Sequence, residues 1–164
     1  MTPRPEDLQV SVLGVCHHPS PLRRRHPRFI EPGQRVLLSS DAEEARSRMD
    51  AGEVLPSFER AGPRESLFFD PSALACGIVT CGGLCPGIND VIRSIVMTLT
   101  YAYGVRRILG FRYGYQGLSA TSPVEPVGLT PDDVEQIHEH GGTMLGSSRG
   151  PQPVEEIVLS LIHI

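Results

Sequence analysis

Between residues 74 and 111 the chain changes periodicity twice, and that alternation restricts the fold more than any other feature. Residues 74–80 form a short, mostly apolar run of strand length. Ile88, Val91, Ile92, Ile95, Val96, Leu99 and Tyr103 then recur at three and four residues, one apolar helical stripe that ends near Gly104. Residues 107–111, Arg-Ile-Leu-Gly-Phe, return to strand character. A helix between two strands of one sheet carries the chain back over a face, and the right-handed crossover rule makes those strands parallel. The expectation is an α/β fold with a partial, Rossmann-like parallel sheet and crossover helices.

The junction of the first strand and the helix reads Cys81-Gly82-Gly83-Leu84-Cys85-Pro86-Gly87. Unpaired N–H groups and the positive end of the helix dipole point to the same place there, so an anion belongs at the turn. Gly82 and Gly83 let backbone approach a phosphate closely, and Pro86 and Gly87 shape the start of the helix. Further on, Thr130, Pro131 and Asp133 mark another helix start, and Gly141-Gly142 its end. Residues 143–146 read as a third strand, and a helix runs from Pro151 through Val154, Ile157, Val158 and Leu161. Between them lies Ser147-Ser148-Arg149-Gly150, a polar loop with a guanidinium suited to a bidentate grip on phosphate. Two such loops on one sheet edge suggest a polyphosphate ligand.

Composition narrows the chemistry. The 164 residues suffice for one ordinary domain core, and the net charge of −4 shows no general pull toward nucleic acid. All 15 basic residues are arginine, which excludes a Walker lysine and a Schiff-base lysine. No apolar run is long enough to span a membrane and no targeting segment is legible, so a cytoplasmic protein is expected. Cys16, Cys76, Cys81 and Cys85 lack metal-site spacing and read as reduced thiols; no metal site is expected, and His17-His18 reads as a loop feature. Residues 1–66 read as an N-terminal extension, partly irregular, and 67–164 as an incomplete nucleotide-binding domain. In the extension, Leu8, Val10 and Val12 suggest a short strand, Arg23-Arg24-Arg25-His26-Pro27-Arg28 a solvated loop, and Asp41 the cap of a helix to about Met49. A dinucleotide site wants G-x-G-x-x-G and a later acid; here the glycines are G-G-x-x-x-G and Arg112 stands where the acid belongs. An arginine there suits a 2′-phosphate, so an NADP- or nucleotide-binding noncatalytic module is an alternative.

Three stretches carry a resemblance: Ile-Val-Thr-Cys-Gly-Gly-Leu-Cys-Pro-Gly-Ile-Asn-Asp-Val-Ile-Arg from Ile78, Tyr-Gly-Val-Arg-Arg-Ile-Leu-Gly-Phe-Arg-Tyr-Gly-Tyr-Gln-Gly-Leu from Tyr103, and Gly-Gly-Thr-Met-Leu-Gly-Ser-Ser-Arg-Gly-Pro-Gln from Gly141. In this order they resemble the 6-phosphofructokinase family, and Leu84 with Cys85 resembles its ATP-dependent plant and trypanosomatid-like branch, which is related to the pyrophosphate-dependent enzymes. The resemblance implies the first part of a phosphofructokinase fold, ATP and Mg2+ as cofactors, transfer of the γ-phosphate to fructose 6-phosphate, and a homo-oligomer without nucleic-acid or membrane partners. It implies that Gly82 and Gly83 lie against the terminal phosphates, Tyr115 beside the adenine, and Arg149 with Gly150 at the phosphates, Arg149 stabilising the charge that develops in transfer. The family's Gly-Gly-Asp-Gly and Thr-Ile-Asp-Asn-Asp motifs, with the metal ligands and the catalytic base, are absent. The resemblance therefore implies an N-terminal fragment of a longer kinase, inactive alone, with a pyrophosphate-dependent enzyme as a further alternative.

Overall fold

A computed structural model describes residues 3–24, 28–119 and 122–163. The chain divides into two compact units, Met1–Phe69 and Asp70–Ile164. Of the arginine-rich run, Arg25, His26 and Pro27 lie outside the described residues. Among the described residues no helix is long and apolar enough to cross a membrane.

In the first unit two small antiparallel ladders form: β1 (His18–Pro19) with β4 (Ser66–Leu67), and β2 (Arg35–Leu37) with β3 (Ser57–Glu59). His18 thus pairs with Leu67 in a strand, where a loop was expected. Helix α1 (Ala42–Asp50) starts as its sequence predicts: the Asp41 carboxylate accepts the N–H groups of Glu43 and Glu44 at 2.9 and 3.0 Å. The strand expected at Leu8, Val10 and Val12 is not formed. Pro5–Leu8 is a 3-10 turn, closed by the Arg4 N–H donating to the Asp7 carboxylate at 3.0 Å. Val10 and Val12 are 68% and 83% exposed, so their alternation has no face to bury and no stabilisation to gain.

The second unit holds the expected crossover. β5 (Ala75–Val79) pairs in parallel with β6 (Arg107–Phe111), in register from Ala75 opposite Arg107 to Val79 opposite Phe111. Between them run α2 (Ile88–Met97) and a π-helical turn, Thr98–Tyr103, which ends at Gly104 in the left-handed region. Ile92 and Val96 are fully buried and join Ile78, Val105, Ile108, Leu129, Val134 and Leu145 in one core. Each such side chain contributes about 1.5–3 kcal/mol through burial. The predicted stripe is broader than the covered face, since Val91 and Ile95 of the same helix stand 58% and 38% exposed.

Two expected elements differ. The helix expected after Thr130 is a pair of 3-10 turns, Asp132–Val134 and Ile137–Glu139. Its capping signal is made, with the Thr130 N–H on the Asp133 carboxylate at 2.8 Å. Arg93 of α2 donates to the Glu135 carbonyl at 3.1 Å, the acceptor an α-helix would offer to the Glu139 N–H, which turns instead to the Gln136 carbonyl at 3.1 Å. Asn89 donates to the His140 carbonyl at 2.9 Å, at the end of the segment. Residues 143–146 form a turn, with the Gly146 N–H on the Thr143 carbonyl at 3.1 Å, and not a strand. The third strand is β7 (Val127–Gly128), antiparallel to β6. Helix α3 (Val154–His163) follows as expected.

Candidate functional site

Two loops meet beyond the carboxyl end of β5, the glycine turn and residues 143–149, and hydroxyl groups join them. Thr80, the residue after β5, donates its hydroxyl to the Gly146 carbonyl at 2.6 Å. Its one proton is thereby used, so the 3.0 Å contact with the Thr143 hydroxyl is a bond that Thr143 donates. Thr143 in turn accepts from the Leu145 N–H at 3.2 Å. The relay orients both threonines and folds residues 143–146 onto the strand end.

Ser147 then donates to the Gly82 carbonyl at 2.9 Å, which fastens the polar loop to the glycine turn. Gly82 has φ +91°, a conformation that favours glycine, and Gly87 caps α2 at φ +87° without any side-chain hydrogen bond. The first amides of α2 are left for other acceptors. Among the described residues, the Gly82 and Gly83 N–H groups donate to nothing, and residues 81–87 are exposed.

Gly82, Leu84, Thr143, Ser147, Ser148 and Arg149 line a cleft of about 480 Å³ together with glycines 141, 142 and 146. Its polar groups are amides, hydroxyls and one guanidinium. That set offers donors to an anion and carries neither a carboxylate nor an imidazole. Arg149 is exposed and has no intramolecular partner among the described residues, so its charge is free for a ligand.

Of the residues singled out by sequence, Gly82 and Arg149 share this lining. Gly83 and Gly150 adjoin them in the chain. Tyr115 stands half exposed on the 3-10 turn Gly114–Leu118, outside the lining. Sequence reasoning passed over Asn89, which is 4% exposed and accepts the Met144 N–H at 2.8 Å while donating to His140. An amide side chain in the first turn of an amphipathic helix was its only sequence signal. Thr80 and Thr143 were missed because a threonine in a strand end ordinarily reads as β-propensity. Titration is perturbed outside the cleft: burial raises the Cys76 thiol, and the hydrogen bonds from Thr130 lower the Asp133 carboxyl.

For magnesium the fit is poor. Among the described residues no three His, Cys, Asp or Glu side chains gather where a metal could be held, and the cleft's own donors suit phosphate oxygen.

A family model described as Phosphofructokinase matches residues 75–162, just over half of the chain. An ATP-dependent 6-phosphofructokinase of Amycolatopsis methanolica is 46% identical over 98% of this chain and 36% of its own length. One of Trypanosoma brucei brucei is 40% identical over 95% of this chain and 33% of its own length. ATP-dependent 6-phosphofructokinase 7 of Arabidopsis thaliana is 47% identical over 63% of this chain and 21% of its own. The chain therefore spans about a third, or less, of the length of these relatives.

Proposed function

The chain belongs to the phosphofructokinase family, and from that premise we propose that it supplies nucleotide-binding groups to an ATP-dependent 6-phosphofructokinase. In that reaction the bond between the γ-phosphorus of ATP and its bridging oxygen breaks. A bond to a hydroxyl oxygen of fructose 6-phosphate forms, ADP leaves, and the hydroxyl proton goes to a base. The observation that carries the reading is the Ser147 hydroxyl on the Gly82 carbonyl, which sets the arginine loop against the glycine turn in one cleft.

Each group has a physical part in this proposal. The amides of Gly82 and Gly83 and the start of α2 receive terminal phosphate oxygens. Arg149, with the Gly150 backbone beside it, neutralises charge on the phosphates and on the transferring group. Tyr115, on its exposed turn, is the surface against which the adenine rests. The cleft has no group able to take the hydroxyl proton, so the base, the sugar site and any magnesium ligands are assigned to sequence in the relatives beyond the part this chain matches.

Calorimetric titration of the chain with ATP tests the reading. Saturable binding is expected, weakened about tenfold or more in Arg149→Ala because a charge-assisted bond is lost. Absence of binding, or binding indifferent to that substitution, would overturn it.

A further inference from the structure

Among the described residues, Tyr113 is the non-glycine residue with positive φ, at 60°. A bulky aromatic avoids that region because its Cβ crowds the backbone, so the conformation persists only where surrounding structure enforces it. Burial does not enforce it here, since Tyr113 is 41% exposed.

Its contacts lead instead to the cleft. The Tyr113 N–H donates to the Leu145 carbonyl at 2.8 Å. Its ring lies against Gly146, where an added Cβ would come within 2.9 Å of the ring's Cδ1. The Arg112 guanidinium carbon sits 5.3 Å from the ring centroid, adding a cation–π contact. Gly114 is also left-handed, at φ 62°, and an added Cβ there would come 2.9 Å from the Ser148 Oγ and 3.2 Å from the Thr80 carbonyl oxygen. Two consecutive left-handed residues thus bring the backbone tightly against Gly146 and Ser148 on one side and the end of β5 on the other. Ser147, held between those two, bonds Gly82, and Arg149 is next in the chain.

We infer that Tyr113 is a positioning residue for the phosphate cleft: its left-handed backbone and its ring fix residues 146–148, so that Arg149 and the glycine turn face one polyphosphate. This rests on the nucleotide reading above. Tyr113 acts through Gly146 and Ser148, and its hydroxyl is dispensable to the role.

The test compares ATP binding by the full chain and its Tyr113→Gly, Tyr113→Phe and Arg149→Ala variants, with thermal melting and amide hydrogen exchange. Tyr113→Gly keeps the left-handed backbone without strain and removes the ring. The dissociation constant is expected to rise about tenfold through misplacement of the binding groups, with no fall in melting temperature. Exchange is expected to quicken at residues 81–83 and 146–149, and Tyr113→Phe to restore wild-type binding.

Wild-type affinity in Tyr113→Gly beside weakened Arg149→Ala would overturn the positioning role and leave the nucleotide reading standing. No ATP binding by the wild type would overturn both. If Tyr113→Gly does not fold, Tyr113→Asn, which also tolerates the left-handed region, is judged by the same criterion. Failure of both to fold would overturn positioning in favour of a purely structural role.

Discussion

The hydroxyl of Thr80 donates to the carbonyl of Gly146 at 2.6 Å, joining the end of β5 to the loop that carries Arg149. Thr80→Val keeps the shape of the side chain and deletes the bond. The Gly146 carbonyl and the Thr143 hydroxyl then lose their partner in a half-buried place. The expected cost is about 1–3 kcal/mol, read as a lower urea midpoint at unchanged slope. ATP affinity should fall with it, because the arginine loop loses its hydroxyl ties to the end of β5 and keeps those from Ser147 and Tyr113.

Asn89 holds the other end of the same segment. Its amide meets both the His140 carbonyl and the Met144 N–H, at 2.9 and 2.8 Å, from a nearly sealed position on α2. Asn89→Leu is close in volume but satisfies neither group. A loss of about 1–3 kcal/mol is expected for the buried groups left unpaired. Asn89→Asp should do less harm at the Met144 N–H, which it can still engage, than at the His140 carbonyl, which it repels. Denaturant unfolding of the two variants, with hydrogen exchange at Met144, separates the contributions.

Gly117 marks the tightest place near the cleft. An added Cβ would lie 1.9 Å from the Arg112 carbonyl oxygen and 3.0 Å from its carbon, and both are backbone atoms that cannot rotate away. Gly117→Ala must therefore unwind the turn Gly114–Leu118 that follows β6. A destabilisation of about 3 kcal/mol is expected, with loss of cooperative melting in the second unit as its extreme form.

Much of this arrangement was legible in the residues themselves. The helical stripe from Ile88 and the apolar runs on either side specified a parallel β5–β6 pair, because burying a stripe against two strands leaves little topological choice. Asp41 announced α1 for a local reason, its carboxylate reaching two amides within three residues. Gly82 and Arg149 line one cleft, although residues 143–146, the strand expected to carry the arginine loop to the sheet edge, are a turn. The misreadings share a cause. Thr130 and Asp133 form the capping pair that a helix start requires, yet 3-10 turns follow, with Arg93, 42 residues away in sequence, on the Glu135 carbonyl that the next helical turn would use. Residues 143–146 look like a strand locally and become a turn because Thr80 and Asn89 bind them. Val10 and Val12 alternate like a strand with no sheet face to receive them. In each case a tertiary partner, present or missing, outweighed a correct local signal.

The capping pair also gives a pH-dependent prediction. Asp133 accepts the Thr130 hydroxyl at 2.6 Å and the Thr130 N–H at 2.8 Å, and these bonds hold its carboxyl below the ordinary carboxylate value. Both partners donate to the ionised form, so the folded state favours the anion. A group whose folded pKa is depressed contributes its stability above the unfolded pKa and loses it as pH falls through the folded one. The stabilisation should therefore be complete near neutrality and disappear in acid, below the range where free aspartate titrates. In Thr130→Ala the hydroxyl bond is gone and the backbone bond remains. The Asp133 carboxyl carbon, followed by NMR, should then titrate at higher pH than in the wild type without quite reaching the value of an unperturbed aspartate. The Asp133 contribution to the acid side of the unfolding curve should shrink in the same variant and not vanish, because the backbone bond still favours the anion. An unchanged Asp133 titration in Thr130→Ala would show that the backbone N–H alone sets the shift.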